Sequence, residues 1–201
     1  WARVTLFANS GRMARRLRHR LSRRERQIME VVLGRAGRDA PEVDAVVLDA
    51  PATGHGVSML AAPLRVSEVV QDGPVGHLIT ELADFLRDPS RSATVAVTLA
   101  EEMPVQETRE LIEALDQRLE RRPELVVANA LYPPLEAAET LLDSTEPGAR
   151  LWAHRRVANE RELTRLREHW AGPLAHLPLL AESRGPDLLA HLEEALADEL
   201  E

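Results

Sequence analysis

Four short runs of the chain are almost free of polar residues, and the gaps between them leave room for helices. The first is Val43-Asp44-Ala45-Val46-Val47-Leu48-Asp49. Thr94–Leu99 and Leu125–Ala128 follow, with a weaker run at Leu174–Leu180. A strand that is apolar on both sides is one covered on both faces, which is the situation inside a parallel sheet. Between the runs, apolar residues recur at helical spacing. Val105, Leu111, Ile112, Leu115 and Leu119 make one stripe over 105–121, and helices are also expected over 12–34, 65–87, 135–143, 151–170 and 187–200. Strands alternating with helices of this length predict βαβ crossovers. The expected fold class is α/β, a mainly parallel sheet with helices on both faces.

With 201 residues and no interdomain linker, a single domain over 1–201 is expected. The chain has no cysteine, which excludes disulfides, thiolate metal sites and a cysteine nucleophile. It has no lysine either: all 25 basic residues are arginine. Any step that needs an ammonium must be served from outside these residues. No apolar run is long enough to span a bilayer, and Arg12 to Arg26 is unlike a signal peptide, so the cytoplasm is the expected location.

Charge is unevenly placed. Residues 1–38 hold eleven arginines against Glu25 and Glu30, whereas residues 39–201 hold fourteen against thirty-one acidic residues. The basic stretch could meet phosphates or anionic lipid. Met13, Leu17 and Leu21 give it a face to bury, however, so an amphipathic helix of the domain is favoured and no nucleic-acid partner is expected. The seven histidines show no H-x-x-x-H or H-x-x-E-H spacing, and no G-x-S-x-G elbow is present.

In open parallel sheets, ligands sit beyond the carboxyl ends of the strands. The first such end reads Asp49-Ala50-Pro51-Ala52-Thr53-Gly54-His55-Gly56. A carboxylate closing an apolar strand suits a Mg²⁺-bound water beside a nucleotide's phosphates. The glycines after it let the backbone approach a ligand and change conformation.

This string resembles the switch II segment of the deviant-Walker P-loop ATPases related to ArsA, the arsenite-pump ATPase, and to the ATPase that targets tail-anchored membrane proteins. Ser58-Met59-Leu60 and Pro63 continue the likeness. Val97 to Thr108, Val126-Val127-Ala128-Asn129 and Leu177-Pro178-Leu179-Leu180 are similar to later family segments, so the resemblance covers roughly 43–200. It implies ATP and Mg²⁺ as cofactors and an anion-transporting-type ATPase working as a homodimer or a dimer with a paralogue. By the same resemblance Asp49 is the catalytic and metal residue, holding Mg²⁺ through water. Pro51, Thr53, Gly54 and His55 are switch II, Asn129 meets the adenine edge and Pro178 shapes the base pocket.

Residues 57–92 would be a helical insert after switch II. Met59, Leu60, Ile79, Leu82, Phe85 and Leu86 there could line a client groove, although packed helix is the plainer reading.

The family's glycine-rich phosphate loop ending in G-K-[ST] has no counterpart here. Asn9-Ser10-Gly11-Arg12 is the only candidate, and it lacks the lysine. The expected fold is therefore a partial P-loop NTPase domain without its phosphate-loop unit. A degenerate, non-catalytic homologue acting as a dimerisation or regulatory partner is the alternative. Partition and division-site ATPases are a third possibility, although their switch segments are usually D-x-P-x-G.

Overall fold

The computed structural model describes residues 3–8, 46–50, 53–70, 72–134, 138–182 and 184–200. Five strands form one sheet: β1 (Arg3–Ala8), β2 (Val46–Asp49), β3 (Ser92–Leu99), β4 (Leu125–Leu131) and β5 (Leu174–Pro178). The helices are α1 (Thr53–Val69), α2 (Gly73–Arg87), α3 (Glu102–Leu119), α4 (Pro147–Arg167) and α5 (Pro186–Leu200). The helix expected over 12–34 lies outside the described residues. Of the one expected over 135–143, the described residues form a 3-10 turn at Ala138–Leu141, and 135–137 lie outside them. The helix expected over 65–87 is broken in two, because Gly73 has φ +79° and Pro74 opens a new first turn.

The strand order is β2-β1-β3-β4-β5. β3, β4 and β5 are parallel, as the alternating pattern predicts, and helices flank them. β1, which the apolar pattern does not announce, is antiparallel to both β2 and β3, so β2 runs with β3. An antiparallel strand satisfies the ladder groups of both neighbours as well as a parallel one does.

The register sorts the sheet into two faces. Leu48 and Ala50 continue β2 on the same side as Thr94, Ala96, Val126 and Ala128. That side carries the core: Ala96, Val126 and Ala128 pack with Val57, Leu60 and Leu64 of α1, Ala83 and Leu86 of α2, and Leu111, Ile112 and Leu115 of α3. Each fully buried Leu or Ile contributes roughly 1.5–3 kcal/mol. Small residues on the sheet side leave room for these large ones. The opposite face carries Val47, Asp49, Val95, Val97, Leu99, Leu125 and Asn129, all half-buried or exposed, together with the buried Val127.

Arg121 organises the amino-terminal edge of the sheet. Its Nη1 donates to Leu86 O at 2.8 Å and to Ser92 Oγ at 2.9 Å, and its Nη2 to Ser92 O at 3.0 Å and to the Glu124 carboxylate. Glu124 in turn accepts from Thr94 N–H. One guanidinium thus joins the end of α2 to the starts of β3 and β4. Nearby, the Ser90 hydroxyl and N–H both bond Asp88, and they hold its carboxyl below the usual carboxylate range. Among the described residues, no helix is long and apolar enough to cross a membrane.

Candidate functional site

Asp49 is the last residue of β2 and is exposed, as its sequence position at the end of an apolar run suggests. Ala50, next to it, is buried in the core. Pro51 lies outside the described residues. Thr53, Gly54 and His55 open α1, so the segment expected to behave as a switch loop enters a helix four residues after Asp49.

Asn129 and Pro178 lie on adjacent strands, with Pro178 level with Leu131, two residues past Asn129. Ala128 pairs with His176 and Leu131 with Pro178, so Asn129 and Ala130 on β4 oppose Leu177 alone on β5. This two-against-one arrangement is a β-bulge, a device that re-aims side chains near the end of a strand. Leu179 N–H closes it on Leu131 O at 2.7 Å. Ala130 takes the left-handed conformation, φ +56°, which costs an L-residue about 1–2 kcal/mol. Ala130→Gly should relieve that strain, partly offset by the freer unfolded chain. A net gain of about 0.5–1 kcal/mol is expected, visible as a higher denaturant midpoint at unchanged m.

Asp49 and Asn129 share a sheet face and lie toward strand ends that point the same way, but they are not in contact. Asp49 is level with Thr5, Val95 and, through Val95, Leu125, whereas Asn129 is level with Leu99. Four residues along the strands make about 13 Å, and three strand spacings make about 14 Å, or roughly 20 Å overall. That span is comparable to an extended nucleoside triphosphate.

The segment after β4 is held by a stripe on α4 that sequence reasoning missed. Trp152, Arg156 and Asn159 are spaced i, i+4, i+7 and so share one helix face. Trp152 packs edge-on against Tyr132 with ring centroids 5.5 Å apart, and its indole N–H donates to Pro133 O at 3.3 Å. Arg156 Nη1 donates to Tyr132 O at 2.8 Å. Asn159, 5 % exposed, accepts from Tyr132 N–H at 2.9 Å and donates to Ala100 O at 2.9 Å. The only signal in the sequence is that spacing, hidden in a helix rich in arginine and glutamate.

The donor set fits a nucleotide unevenly. Asn129 offers a half-buried carboxamide, one donor face and one acceptor face, with no hydrogen-bond partner among the described residues. Mg²⁺ needs only one or two carboxylates beside phosphate and water, which Asp49 can supply. No cluster of three His, Asp or Glu able to hold a metal occurs among the described residues. A triphosphate finds no ammonium in this lysine-free chain.

No protein-family model matches the chain. ATPase BagA of Mycobacterium tuberculosis is 40% identical over 91 residues, which are 45% of this chain and 26% of that protein. Relatives from Mycobacterium bovis and a second Mycobacterium tuberculosis strain, whose names also carry the word ATPase, match to the same extent. The match spans about a quarter of the length of these curated relatives. Over that stretch the chain is similar to proteins named as ATPases, and the likeness supports an ATPase relationship in general.

Proposed function

We propose that this chain is the switch II to base-binding portion of an ArsA-like, anion-transporting-type ATPase. In this reading Mg²⁺-ATP drives a dimer, of two copies or with a paralogue, between open and closed states in the cytoplasm. The observation that carries it is the placement of Asp49 and Asn129 on one sheet face, a nucleotide's length apart, with Pro178 beside the Asn129 bulge. The 40% identity over 91 residues to proteins named as ATPases supports its coarser part, an ATPase in general.

Asp49 would hold Mg²⁺ through water, and Asn129 would pair with the adenine edge against Pro178. The backbone of Pro51 to Gly54 would respond to the terminal phosphate, and His55 would move with it without transferring a proton. Bound Mg²⁺ supplies neutralisation of phosphate charge, the main requirement of phosphoryl transfer. The client, or any membrane partner, is not specified by these residues.

The test is ATP turnover by the full-length gene product. Asp49→Asn is expected to cut it at least about tenfold, and unchanged turnover would sink the assignment.

A second reading has one observation in its favour: no lysine and no G-K-[ST] loop occurs in the 201 residues. On that reading the protein is a degenerate, non-catalytic partner. Calorimetry with Mg²⁺-ATP tells only binding from non-binding, so the discriminating observation is the upstream reading frame, where an in-frame G-K-[ST] loop would argue against degeneration.

A further inference from the structure

We infer that Asn159 is the positioning residue of the base-binding end, acting on Asn129 through the backbone that follows it; the inference rests on the nucleotide reading above. Three observations converge on it. The Ala130 backbone is strained, so the turn that aims Asn129 needs to be held from outside. Two residues further on, the Tyr132 N–H is fixed by Asn159 Oδ1, and the Tyr132 carbonyl is fixed from one turn away by Arg156. The other half of the Asn159 carboxamide bonds Ala100 O, the first residue past β3. A single buried side chain therefore sets the separation of the ends of β3 and β4.

Those ends are the floor beneath Asn129, whose strand partner is Leu99, next to Ala100. The geometry is demanding, since it requires one donor and one acceptor pointing at two different strands. Asparagine supplies both. Aspartate keeps the shape and loses the donor, so an acceptor would face the Ala100 carbonyl. Alanine loses both bonds and leaves the part-buried Tyr132 N–H without its Asn159 partner. In each case the strained turn loses its outside support and Asn129 is free to swing off the base.

The experiment is steady-state ATP and GTP hydrolysis by the full-length gene product, comparing wild type, Asn159→Ala, Asn159→Asp, Asn129→Ala and the Asn129→Ala/Asn159→Ala double variant. Asn159→Ala is expected to raise the KM for ATP about tenfold and narrow the preference for ATP over GTP, with kcat within about twofold. Because Asn159 acts through Asn129, the double variant should match Asn129→Ala alone. Additive KM effects, or an unaltered ATP-to-GTP preference in a folded Asn159 variant, overturn the inference while leaving the ATPase reading standing. If Asn159→Ala does not fold, Asn159→Asp decides the matter by the same two measurements. Wild type without saturable nucleotide turnover refutes the ATPase reading itself, and the positioning role with it.

Discussion

Arg121→Ala is expected to lower stability by about 2–4 kcal/mol, among the largest effects of any single charged side chain here. The Arg121 side chain is only 14% exposed, and its guanidinium makes four hydrogen bonds, to Leu86, Ser92 and Glu124. Alanine would leave the Leu86 carbonyl at the end of α2 with the longer 3.2 Å bond from Ser92 Oγ, and the Ser92 carbonyl without this donor. It would also leave Glu124 with Thr94 N–H but no counter-charge. At about 2–4 °C per kcal/mol for a chain of this size, the melting temperature should fall by roughly 4–16 °C. Arg121→Lys should recover less than half of the loss, because an ammonium cannot reproduce the planar fork that reaches Leu86, Ser92 and Glu124 together. Equal stability of the lysine variant and wild type would contradict this account.

Trp170→Ala should cost about 3–5 kcal/mol, the usual cost of deleting a large buried aromatic. Trp170 is buried in the core cluster, and its indole N–H donates to Pro173 O at 2.8 Å. The ring lies over Gly172: a Cβ there would sit 2.4 Å from Trp170 Cζ2 and 2.9 Å from Cη2. Gly172→Ala must therefore push the ring out of its seat, at about 1–3 kcal/mol. Because the two changes disturb the same contact, the double variant should be less destabilised than the sum of the singles. Denaturant titration of the four proteins tests this, and strict additivity would argue that ring and glycine are independent.

The parallel part of the sheet is legible in the sequence, and for a physical reason. Thr94–Leu99 and Leu125–Ala128 are buried or half-buried on both faces, so their apolar runs carry no competing helical period. The α3 stripe, with Val105, Leu111, Ile112, Leu115 and Leu119 all buried, is equally plain. Other features leave weaker marks. Asp72-Gly73-Pro74 is a turn signal that a long apolar period over 65–87 conceals. Residues 3–8 are too short for periodicity to separate strand from helix, and nothing local dictates an antiparallel direction. The left-handed Ala130 has no sequence signature, since glycine or asparagine is what that conformation usually selects. Asn159 is invisible because its two partners are backbone groups more than 25 residues away. In the candidate site, the end-of-strand positions of Asp49 and Pro178 follow from the pattern, whereas Asn129 lies two residues short of the end of β4, and neither that extension nor the bulge beside it is announced.

The inverted strand Arg3–Ala8 acts as a ruler. Among the described residues, β2 pairs with β1 alone, so the carboxylate of Asp49 is keyed to the sheet through that segment's two ladders. A slip of two residues along either ladder keeps every side chain on its face yet carries Asp49 about 7 Å relative to Asn129. The distance between the carboxylate of Asp49 and the amide of Asn129 is therefore written in a six-residue stretch that bears neither group.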